Sequence, residues 1–65
     1  MPRKPPTTVF TTTIAGWPIK VVQTSKGRFT VVYGFEVHAH LTYREAASQL
    51  GFSIFHALSL EGKLD

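Results

Sequence analysis

The residues best able to do chemistry lie together at Glu36-Val37-His38-Ala39-His40. On an extended strand, side chains repeat on one face every second residue, so Glu36, His38 and His40 are expected to share a face. A His-x-His pair on a strand can present two imidazoles to one metal, and His56 is a candidate third ligand if the helix that carries it packs nearby. The other reading of the same pattern is two solvent-facing histidines balanced by Glu36, a surface whose charge follows pH because imidazole titrates near neutrality. No second carboxylate stands close by for acid–base work. Ser25, Ser48, Ser53 and Ser59 lack the strand-to-helix context of a nucleophile elbow, and the single Gly27 is no phosphate cradle. The chain is therefore expected to be non-enzymatic and to need no cofactor.

A strand must carry the histidines, and a helix must follow it. From Phe29 the odd positions read Phe29, Val31, Tyr33, Phe35, Val37, Ala39 and Leu41, and the even ones are mostly polar. That alternation predicts one long third strand with a single buried face. Gly34 within it suggests a bulge or sharp bend. Before it, the β-branched run Thr7–Ala15 predicts a first strand and Ile19–Thr24 a second. Gly16-Trp17-Pro18 breaks the chain between these two, and Ser25-Lys26-Gly27 forms the next turn. Thr42 followed by Glu45 is a capping box, and Gly62-Lys63 is a stop signal, so one helix is expected between them. The whole predicts an α+β domain over residues 7–65: a three-stranded antiparallel meander packed against one C-terminal helix (β-β-β-α). Residues 1–6, with three prolines and two cations, are expected to be a disordered basic tail.

The helix raises the main functional question. At about 100° per residue, Tyr43, Ala46, Ala47, Leu50, Ile54, Ala57 and Leu58 form one stripe. Phe52, Phe55 and His56 fall outside it. Either the helix breaks near Gly51, with Ser53 capping a second short helix that returns the aromatics to the core, or these side chains meet a partner. Trp17, in its Gly-Trp-Pro turn, is either a core plug or a second exposed anchor.

Composition narrows the classes further. Sixty-five residues without cysteine allow one small domain and no disulfide or Cys-type zinc staple. No apolar run is long enough to span a bilayer, and no apolar h-region follows the basic N-terminus, so a cytoplasmic protein is expected. Formal charge is +3, with two of the seven cations, Arg3 and Lys4, in the tail. The others, Lys20, Lys26, Arg28, Arg44 and Lys63, are spread out rather than gathered on one face, which favours a protein partner or a homodimer over nucleic acid.

Two resemblances bear on function. Leu41-Thr42, Glu45-Ala46-Ala47, Leu50-Gly51, Ser53 and Glu61-Gly62-Lys63-Leu64 resemble the helix-turn-helix of excisionase-like and MerR-like DNA-binding domains, over residues 41–64. The resemblance implies a DNA-binding regulator; the chain's own cations Lys20, Lys26, Arg28, Arg44 and Lys63 are then the candidate nucleic-acid contacts. The would-be recognition helix, Ile54–Leu60, holds no Arg, Lys, Asn or Gln to read base edges. In size and style the chain is also similar to small accessory proteins of phages and prophages, among them anti-CRISPR and other anti-defence inhibitors. That implies an inhibitor or modulator of a host protein complex, with Phe52, Phe55, His56 and Trp17 as contact residues.

Overall fold

A computed structural model describes residues 6–63. The expected tail at residues 1–6 lies outside this range except for Pro6. Four strands, β1 (Thr7–Ile14), β2 (Trp17–Ser25), β3 (Arg28–Tyr33) and β4 (Glu36–Leu41), precede one helix, α1 (Tyr43–Leu60). The strands form an antiparallel sheet in the order β1-β2-β3-β4. The α+β class and the closing helix are as the sequence predicts, but the sheet has four strands, not three.

The extra strand comes from Gly34. It does not bend a long strand; with Phe35 it forms a two-residue hairpin turn between the paired residues Tyr33 and Glu36. Gly34 takes φ +61°, a conformation that side chains resist and that hairpin turns require. A Cβ there would also collide with the ring of Trp17. At the first hairpin Ala15 and Gly16 both have positive φ, 54° and 78°, as a type I′ turn demands.

The hairpin inverts the expected alternation. Phe29, Val31 and Tyr33 face the helix as predicted, but their neighbours on β4 are Leu41, His38 and Glu36. Residues directly opposite across a ladder point to the same side, so Glu36 and His38 lie on the helix side of the sheet. Val37, expected in the core, pairs with Val32 on the other side and is 63% exposed. A second irregularity then restores the phase. Ala39 and His40 together stand opposite Thr30, and His40 takes φ 60°. This bulge returns Leu41 to the helix side beside Phe29.

The core lies between α1 and the two central strands. Ile19 and Val21 of β2 and Val31 and Tyr33 of β3 meet Ala46, Ser53 and Ala57 of α1. Leu50 joins the two apolar clusters that these residues form. At its start α1 carries the complete capping box: Thr42 Oγ1 accepts from Glu45 N at 3.3 Å, and Glu45 Oε1 accepts from Thr42 N at 2.9 Å. At its end, Gly62 N donates to Ser59 O and Lys63 N to Leu58 O. With Gly62 at φ 78° this is a Schellman stop.

Between these caps the helix is continuous. Of the two alternatives, the break near Gly51 does not occur. Glycine weakens a helix interior by about 1 kcal/mol, but Leu50, Ser53 and Ile54 on either side are held against the sheet. Ser53 caps nothing; its Oγ donates to Gln49 O at 2.9 Å within the same helix. The 41–63 stretch is thus a strand end and one helix, without the turn that a helix-turn-helix needs.

Candidate functional site

Continuity of α1 decides where the aromatics go. Phe52 and Phe55 are both 63% exposed, on the side of the helix turned away from the buried Ala46, Ser53 and Ala57. His56 is exposed as well, but it is tied to the sheet. Its Nδ1 lies 2.8 Å from Tyr33 Oη; with the neutral ring protonated on Nε2, the tyrosine hydroxyl donates to it. The two rings meet edge to face at 5.8 Å, and Phe52 stacks on His56, also at 5.8 Å and within 8° of parallel.

The contacts continue inward. Tyr33 packs on Trp17 with centroids 5.6 Å apart, and Trp17 on Phe35 at 6.0 Å. Five rings thus run from the β3–β4 turn, along the edge of the core, to the outer side of α1. Both ends of the row are exposed, Phe35 at 84% and Phe52 at 63%. Phe52 thus stacks on a ring that is itself hydrogen-bonded to the sheet, and a contact side chain with fewer open rotamers loses less entropy on binding. Trp17 is half-buried inside this row, and it serves as packing for the site more than as its tip. The sequence pattern does not single out Phe35 or Tyr33 for this site. Phe35 falls within the strand alternation, and only its place after a glycine hints at an exposed turn, while Tyr33 reads simply as core.

Beside Phe52 an open groove of about 520 Å³ is lined by Leu41, Arg44, Glu45, Ser48, Gln49 and Phe52. The Glu45 carboxyl at its rim is held below its ordinary value of 4.5, chiefly by the backbone N–H of Thr42, then by the Thr42 hydroxyl side chain, with Arg28 adding a smaller attraction. Glu45 is therefore anionic near neutrality, and the groove carries one cation and one anion around an apolar floor.

The histidine strand does not assemble as expected. Glu36 and His38 share a face, with Oε1 and Nε2 3.7 Å apart. His40 leaves that face because the bulge reverses its direction. Among the described residues no group of three His, Cys, Asp or Glu side chains could hold a metal ion. The cations stay dispersed too. Lys20 is on β2 beside Thr11 and Val32, on the side of the sheet away from α1. Lys26 is in the β2–β3 turn, Arg28 opens β3, Arg44 lies in the first turn of α1, and Lys63 follows its end. No helix among the described residues is long and apolar enough to cross a membrane. Comparison with protein-family models, with curated proteins and with solved structures finds no match to this chain.

Proposed function

We propose that this chain is a non-enzymatic protein-interaction module whose contact surface is the outer side of α1, centred on Phe52, Phe55 and His56. The observation that carries this reading is the connected aromatic row that ends in Phe52. Large apolar side chains exposed together on a small protein mark a binding surface more often than chance, and aromatics dominate the energetics of such surfaces. Here one of the two phenylalanines on the outer side of α1, Phe52, is stacked on a histidine that is itself hydrogen-bonded to the sheet. A partner would bury rings already in place. The chain's small size and lack of a catalytic constellation fit the accessory proteins of phages and prophages, so the partner class we propose is a host protein complex that the module inhibits or modulates.

The test compares the wild-type chain with the double variant Phe52→Ser/Phe55→Ser in pull-downs from host extract, read by mass spectrometry. A protein enriched by the wild type and lost with the variant, while circular dichroism stays unchanged, supports the proposal. Equal recovery by both chains sinks it. So does duplex-DNA binding by the wild type that weakens steeply with salt, the signature of phosphate contacts.

A further inference from the structure

The two edges of the sheet are treated differently by the sequence. The β4 edge is short and carries Glu36, His38 and His40 together with the bulge at Ala39–His40. Charges and bulges are the usual means of stopping an edge from pairing with another strand. The β1 edge reads Thr-Thr-Val-Phe-Thr-Thr-Thr-Ile, with no charged residue and no proline. Its one irregularity is at Val9, so Phe10 to Ile14 form a regular stretch against β2. Beyond it stands no further strand among the described residues.

We infer that Phe10–Ile14 is a self-pairing edge: a second copy of this chain adds antiparallel to it, about a twofold axis at Thr12, joining two sheets into one of eight strands. In this register Phe10 lies opposite Ile14 of the second copy, Thr11 opposite its Thr13, and Thr12 opposite Thr12. Phe10 and Ile14 are on the helix side, since they pair with Val21 and Trp17 of β2. Phe10 is 42% exposed and Ile14 is half-buried, and the pairing covers both with an aromatic–aliphatic cross-strand contact. The threonines on the other side form Thr–Thr pairs.

Three observations select a second copy as the occupant. A chain of formal charge +3 repels its copy wherever cations face one another, and the uncharged edge is where that repulsion is weakest. The pairing is self-complementary in pattern, as a twofold interface must be. The chain also has no cysteine to form a disulfide, and among the described residues six hydrophobic ones form the buried core; oligomerisation is one of the few remaining ways for so small a domain to gain stability. Five paired residues span about 17 Å and fall short of the roughly 800 Å² per partner of a tight interface. The dimer is accordingly reversible, and it leaves the outer side of α1 open.

Light scattering across a dilution series tests this on the full chain. The wild type is expected to rise with concentration from the 7.2 kDa chain mass toward twice that value. Thr11→Glu/Thr13→Glu places carboxylates opposite each other across the axis, and Thr11→Lys/Thr13→Lys does the same with ammonium groups. Each variant alone should remain monomeric with unchanged circular dichroism, and their equimolar mixture should dimerise again. A wild type that stays monomeric at every concentration overturns the inference. So does a charged variant that still self-associates alone, or a mixture that fails to re-form the dimer. Phe52→Ser/Phe55→Ser should leave the mass unchanged, and loss of the dimer in that variant would place the interface on α1 instead.

Discussion

The two sides of α1 invert the usual relation between size and burial. The inner side meets the sheet with Ala46, Ser53 and Ala57, while the outer side carries Phe52 and Phe55 at 63% exposure each. The cause lies in the sheet. Ile19, Val31 and Tyr33 already fill the space between the layers, so the helix must present small residues to come close. Leu50 and Ile54 pack against the core but stay only partly buried, and Phe52 and Phe55 lie outside it. A helix with this arrangement does not need its phenylalanines for folding, and that separates the residues that hold the domain together from those free to bind.

This contrast can be broken most severely from the inside. Ala57 is fully buried against Ile19 and Tyr33. Ala57→Leu adds volume where none is available and should cost about 1–3 kcal/mol in stability, read as a lower denaturation midpoint. An Ala57→Leu chain as stable as the wild type would mean that the inner side is loosely packed. A middle-sized effect is expected at the helix start, which serves both sides equally. Thr42→Ala removes the cap hydroxyl and should cost about 1 kcal/mol. The Glu45 carboxyl is held below its ordinary value of 4.5 by the same cap. Its contribution is therefore present above that value and lost as pH falls through the lower folded value. Thermal melts of the wild type should show this loss on acidification, and those of Thr42→Ala should show less of it. The smallest change is expected outside. Phe52→Ser and Phe55→Ser should each shift stability by no more than about 0.5 kcal/mol, and a larger loss would show that the outer aromatics are structural after all.

Much of the frame was legible because its signals are local. Thr42-Glu45 and Gly62 marked the ends of α1, and the β-branched runs and turn glycines marked β1 and β2, because each depends only on near neighbours. What escaped depends on phase. Phe29–Leu41 alternates without interruption, so a two-residue turn at Gly34–Phe35 leaves no gap in the pattern, and Val37 looks like core. The bulge at His40 is hidden for the same reason. Its consequences, with Leu41 returned inward and His40 displaced, follow only once the strand partners are known. Ser53 was missed as a core residue because a hydroxyl on an apolar stripe reads as polar, whereas its bond to Gln49 O lets it be buried without loss. For the site, the exposed character of Phe52 and Phe55 was visible as one of two alternatives, and the unbroken helix selects between them. The row of rings behind them was not visible, since it joins residues far apart in the chain.

The position of Trp17 has an optical consequence. It is the single tryptophan of the chain. Its indole lies against the backbone of Gly34, between Tyr33 and Phe35, where β2, the last hairpin and, through Tyr33, the helix all converge. Its emission therefore reports on the joining of three elements at once. The protein carries an intrinsic fluorophore at the one point where assembly of the fold and the arrangement of its outward aromatics can be followed together, without a label.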